Sequence, residues 1–397
     1  MSEQLKIYLK VFFGTWIICC LVVAYLNYQI DPFAIYHPPE SLRNGWLAGD
    51  QNYLHTTFVR LHKAQLLSLN RREGKASSEI LLLGNSRMMQ GIDPGDAVFE
   101  GKAFNAGLSG ATTYELYRYL QHAESLHPIR TVILGLDYIM FNPTRKTRLD
   151  FKEERLAVNE KGEANHWYSM SDLGETLFSF DTLLKSKVVA SKMKAVNEEG
   201  HADPEAVKSF EKSVQQEFYE YREFKGKGIE EGGGYLHYQN ILNFCEQNHI
   251  ELLIFISPQH CYNVEVASEL NQEENVENWK RELVQMNDAV EKNQGEKRIQ
   301  RFVDYSGYNS ITTESVEGKL SGMKNYFESS HYRPSVGGVI IRDLLTGNRR
   351  EAFGKELNGT NISKMIQVMR EEKDHYRSMH PEMIERVKEW GGAVKKK

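Results

Sequence analysis

The stretch Leu81-Leu82-Leu83-Gly84-Asn85-Ser86-Arg87 decides the fold class. An apolar run able to bury on both faces stops at a glycine, and a serine follows two residues later. In a parallel α/β sheet this places a hydroxyl at the carboxyl end of a strand, where the next helix begins. Ligands and reacting groups gather at that edge, and the N–H groups of a helix N-terminus favour an anion there. A serine so placed is a candidate nucleophile, provided that a histidine reaches it.

Working outward, short apolar runs at Ile80–Leu83, Ala103–Asn105, 131–135, 251–257 and Ile299–Asp304 read as strands. Helical periodicity falls between most of them, at Thr113–Leu126, 235–247 and 273–292. This alternation predicts an α/β fold with a doubly wound parallel sheet. Ahead of it, residues 52–70 read as an amphipathic helix carrying Phe58, Leu61, Leu66 and Leu69. Residues 145–234 are too long for one crossover, hold a helix over 173–193 and end in Gly232-Gly233-Gly234. They are expected to form an inserted helical subdomain, because structureless loops of that length are uncommon in compact domains. The expected organisation is a membrane anchor over 1–30, a connector over 31–78, a core over 79–346 and a polar tail over 347–397, helical at 362–372 and 381–390.

With 41% hydrophobic and 26% charged residues the composition is globular, and a net charge of −5 gives no basic footprint for nucleic acid. The N-terminus stands apart. Residues 11–26 read VFFGTWIICCLVVAYL, and no charge occurs from 11 to 30. Twenty helical residues span about 30 Å, the thickness of a bilayer core. A buried core helix rarely avoids charge for so long. Lys6 and Lys10 precede the run and Asp31 follows it, which predicts a single-pass helix with a cytoplasmic N-terminus and the bulk of the chain outside. No small-x-small cleavage site follows, so an uncleaved signal anchor is expected. Cys19 and Cys20 lie within it; Cys245 and Cys261 flank a strand, roughly 20 Å apart, and are expected to remain free thiols.

The useful histidine must lie after the last strand. Six histidines have an acid three residues earlier: His127, His166, His201, His249, His331 and His375. His127 and His249 precede strands, at the wrong edge of the sheet; His166 and His201 fall in the insertion and His375 in the tail. Only His331 follows the last core strand and runs into a helix, with Pro334 suited to its first turn. Glu328 would hold one ring nitrogen while the other takes the serine proton.

Gly84-Asn85-Ser86, then Asn105-Ala106-Gly107-Leu108-Ser109-Gly110-Ala111-Thr112, then Glu328-Ser329-Ser330-His331 resemble blocks I, II and V of the SGNH (GDSL-type) hydrolase superfamily. The resemblance covers residues 79–346 apart from the insertion. It implies a flavodoxin-like sheet, Ser86 as nucleophile, His331 as base, and an oxyanion hole from the backbone N–H groups of Ser86 and Gly110. On the residues alone, Gly110 serves equally as a turn glycine. Two departures stand out. Block V carries glutamate where the family has aspartate, and the Gly-x-Asn-Asp of block III is missing. The third strand instead runs Gly135-Leu136-Asp137-Tyr138-Ile139-Met140-Phe141-Asn142. Asn142 is the candidate replacement donor, and Asp137 a candidate to hold that loop or touch substrate. Loss of one oxyanion donor typically costs about 3 kcal/mol.

Arg87, beside the serine, is a candidate to bind a substrate anion or to form a loop salt bridge. His260, after the fourth strand, is a candidate substrate contact, and Asp304 a brace at the end of the fifth. Trp167-Tyr168 reads as a sugar-stacking platform or as core. No Cys/His cluster has metal-ligand spacing and no glycine-rich loop suits a phosphate, so neither metal nor cofactor is expected. The anchor and the blocks together resemble the SGNH proteins of alginate O-acetylation and teichoic acid D-alanylation. The implied activity is that of an extracytoplasmic serine esterase or O-acyltransferase working on acylated polysaccharide, peptidoglycan or another envelope polymer. Transfer would require a membrane acyltransferase partner. The alternative is a non-catalytic scaffold that keeps the fold and binds a polymer or assembly partner.

Overall fold

A computed structural model of the chain describes residues 3–46, 59–73, 79–195, 206–224, 233–294, 299–316, 323–347 and 353–394. The chain divides into two compact units, one formed by Met1–Arg43, Leu47–Lys75 and Asp150–Ala202, the other by Asn44–Trp46, Ala76–Leu149 and Asp203–Lys397. The segment expected as one insertion is therefore shared between them.

The second unit is an α/β fold built on a six-stranded sheet: β1 (Ile80–Leu83), β2 (Ala103–Asn105), β3 (Thr131–Leu136), β4 (Glu251–Ile256), β5 (Ile299–Asp304) and β6 (Lys355–Glu356). The order is β2-β1-β3-β4-β5-β6. The first five are parallel, and β6 joins β5 antiparallel through Val303 and Asp304. Leu81, Leu82 and Leu83 are wholly buried, as a strand covered on both faces requires. Each such side chain contributes roughly 1.5–3 kcal/mol by leaving water. The two-residue β6 was not expected, since a piece so short has no readable alternation. The tail packs as helices Ile362–Met379 and Pro381–Val394.

Among the described residues the first unit contains one helix, Glu3–Ile30, long and apolar enough to cross a membrane. Of the amphipathic helix expected over 52–70, Val59–Arg72 is helical and 52–58 lie outside the described residues. The helix expected over 173–193 is broken into Leu173–Thr176 and Phe180–Ala195. At the break, the carbonyls of Leu177 and Ser179 accept from the Asn27 amide at 2.8 and 3.0 Å. Trp167 is 72% exposed and so does not belong to the core.

Candidate active site

Ser86 is placed by the turn that ends β1. A Cβ on Gly84 would lie 2.7 Å from Met88 Cβ, so only glycine lets the chain turn this tightly into the helix Ser86–Gly91. Asn85 caps that helix, its Oδ1 accepting from Arg87 N–H at 2.9 Å while its Nδ2 donates to Asp137 Oδ2 at 2.6 Å. Asn105, ending β2, donates to the carbonyls of Met88 and Ile92 and fixes the far end of the same helix.

His331 arrives from the other side of the sequence on the loop that closes before helix Pro334–Thr346. Its Nε2 lies 2.8 Å from Ser86 Oγ. Its Nδ1 is hydrogen-bonded to Glu328 Oε1, which also accepts the His331 backbone N–H at 3.0 Å. The second carboxylate oxygen, Oε2, accepts from Ser330 N–H at 2.7 Å and from the Ser213 hydroxyl. Burial would raise the Glu328 carboxyl, yet the bonds from His331, Ser213 and Ser330 outweigh it and hold the group down at about 2. The carboxylate is thus ionised at neutral pH and fixes the ring with Nε2 toward the serine. The His331 side chain keeps 22% exposure, so the pair is reachable from solvent.

Beneath this triplet lies a buried charge cluster. Arg87 pairs with Asp137 at 2.6 Å and stands 3.7 Å from Glu217 Oε2. It also donates from Nε to the Ser330 carbonyl at 2.9 Å and from Nη2 to Ser330 Oγ at 2.8 Å. One guanidinium therefore ties the helix of Ser86 to the loop of His331. Asp137 is raised by burial, with Arg87, Asn85 and Ser257 opposing. Glu217 is pushed up to about 7, chiefly by burial; Arg87 opposes, while Asp137, Glu220 and Glu328 add to the rise.

Ser86, His331 and Glu328 are thus brought into hydrogen-bond contact, while the side chains of the other candidates are taken by other partners. Arg87, Asp137 and His260 are buried, and what they hold is protein. His260 caps the helix Cys261–Glu269, and its Nε2 meets the Glu314 carbonyl at 2.7 Å. Burial lowers it to about 4, which leaves a neutral ring. Asn142 donates its amide to the Glu223 carbonyl at 3.2 Å, just past helix Ala206–Arg222, and accepts from Thr144, so its side chain is engaged with these two residues. Gly110 sits at φ +60°, with the Arg148 guanidinium 2.7 Å from where a Cβ would be. Asp304, expected as a brace at the end of β5, is buried and paired with Lys280 at 2.6 Å. All four cysteines are free.

No family model, curated protein or solved structure matches this chain. Its chemistry has to be read from its own residues.

Sequence reading missed Ser213 and Glu217. Both project from helix Ala206–Arg222, four residues apart and hence on one face. The signal was present: Phe210, Val214, Phe218 and Tyr221 form the buried apolar stripe of an amphipathic helix.

Proposed function

We propose that this chain is a membrane-anchored serine esterase or O-acyltransferase acting outside the cytoplasmic membrane. The observation that carries the reading is the 2.8 Å contact of Ser86 Oγ with His331 Nε2, backed by Glu328 on Nδ1. Ser86 Oγ attacks the acyl carbonyl while Nε2 takes its proton, and Glu328 stabilises the imidazolium. The backbone N–H groups of Ser86 and Gly110 stabilise the oxyanion; that of Ser86 opens a helix, where no helical carbonyl accepts it. The imidazolium then protonates the departing alcohol, leaving an acyl-serine. Water or a sugar hydroxyl attacks that ester, gives its proton to Nε2, and releases the acid or the new ester with Ser86 restored.

The order of β1 to β5 agrees with the flavodoxin-like arrangement that the SGNH resemblance implies. From the same resemblance comes the substrate class, an acylated polysaccharide or peptidoglycan, with a membrane acyltransferase as donor partner if the reaction is transfer. The anchor is Glu3–Ile30, with its N-terminus in the cytoplasm. Asn142 supports the alternative of a non-catalytic scaffold, because the amide expected to serve as a third oxyanion donor is bonded to the Glu223 carbonyl. The serine–histidine contact weighs against that alternative. A fluorophosphonate probe decides between them. Wild type should be labelled at Ser86, with labelling lost in Ser86→Ala and His331→Ala; an unlabelled wild type would leave the scaffold.

A further inference from the structure

The membrane helix does not end free. Residues 11–30 carry no charge and span about 30 Å, which puts Asn27 in the last turn, at the edge of the hydrocarbon. Asn27 is nonetheless buried: its amide donates to Leu177 and Ser179, and its Oδ1 accepts from Ser186 Oγ at 3.1 Å. These three bonds clamp residues 177–186 against the helix at interface depth. Thr182 and Ser186 are buried in that clamp, whereas Phe178, Phe180 and Leu184 point out of it at 47%, 67% and 66% exposure. Phe180 and Leu184 are one turn apart on helix Phe180–Ala195, and Phe178 lies between the two residues that bind Asn27.

Single exposed apolar side chains are ordinary, but three large ones within seven residues call for a covering surface. Continuity with the helix end identifies it. Phe178 is one residue, about 3.8 Å of chain, from each carbonyl that holds Asn27. The interfacial zone extends roughly 5–7 Å beyond the hydrocarbon, and aromatic rings favour that zone. We propose that Phe178, Phe180 and Leu184 form a collar that inserts into the phospholipid interface and seats this unit on the bilayer. The proposal rests on Glu3–Ile30 spanning the membrane and is independent of the catalytic reading.

The test uses the full chain in phosphatidylcholine vesicles. With Cys19 and Cys20 changed to serine, Phe180→Cys and Leu184→Cys are each tagged with a nitrobenzoxadiazole dye, Cys245 and Cys261 being buried. Both labels should lose most of their emission to lipids carrying a nitroxide high on the acyl chain, and little to aqueous iodide. Quenching by iodide alone would put the residues in water and overturn the proposal. Shielding from both quenchers would mean a protein cover, and overturn it equally. A dye on the native Cys19 reports the helix itself. If that dye escapes the nitroxide lipid, the spanning helix fails and the collar with it; if only the collar labels escape, the collar alone fails.

Discussion

Gly91 and Gly337 meet backbone to backbone: a Cβ on Gly337 would lie 1.8 Å from the Gly91 carbonyl oxygen. Gly91 closes the helix that Ser86 opens, and Gly337 lies in the first turns of the helix that follows His331. Their contact sets how closely the hydroxyl and the imidazole approach. Gly337→Ala should therefore destabilise the protein by about 3 kcal/mol, the upper range for overpacking. Fluorophosphonate labelling should fall further than the unfolded fraction explains. Gly338→Ala is the control, since its Cβ would meet only the side-chain ends of Arg342 and Asp96, at 3.1 and 3.2 Å, and no backbone. Denaturant midpoints and labelling rates for the two variants check both parts.

Glu328 links the site to acid stability. Its carboxyl lies at about 2 in the folded protein against an ordinary 4.5, so it is depressed by folding. Such a group contributes stability above the unfolded value and loses it as pH falls toward the folded one. The contribution is about 3 kcal/mol, lost between roughly pH 5 and pH 2. Glu328→Gln should accordingly be less stable than wild type at pH 7, with the difference closing toward pH 2. Urea midpoints measured across that interval test it; a constant difference would mean that the carboxylate charge is not what folding stabilises.

Much of this arrangement was legible in the sequence, and the exceptions share one cause. Apolar runs and their order locate β1 to β5, and topology alone isolates His331 among six similar histidines. A rim position, however, does not reveal whether a side chain faces outward. Arg87, Asp137 and His260 all follow strand ends, yet all turn inward to protein partners. Asn142 was assigned a donor's role from a missing motif, while its amide is taken by Glu223 in its own unit. Ser213 escaped because it meets Glu328 from 115 positions away, beyond any local pattern. Trp167 reads alike as core or platform until its exposure is known.

Ser213 is a positioning residue, and its test must separate that role from simple packing. Its hydroxyl donates to Glu328 Oε2. Without that bond the Glu328 carboxylate loses one of the donors that hold it down, and it should protonate at higher pH. The acid limb of the Ser86 labelling profile that follows protonation of Glu328 should then move up in Ser213→Ala. Ser213→Thr keeps the hydroxyl and should restore the wild-type profile. A packing defect would lower the amount of folded protein without moving the limb.

Glu217 carries the opposite sign. It is pushed up to about 7 by burial, facing Arg87 and also Asp137, Glu220 and Glu328, so folding raises it above the ordinary 4.5. Its Oε1 is buried with no hydrogen-bond partner, which favours the protonated form over the charged one. A raised group contributes fully below its unfolded value and loses that contribution as pH rises through the folded one. Glu217→Gln removes the titration while keeping the shape. It should match wild type near pH 4.5 and exceed it by about 3 kcal/mol at pH 8. Urea denaturation at those two pH values gives the comparison. A variant less stable than wild type at pH 8 would mean that the Glu217 charge is needed there as a partner for Arg87.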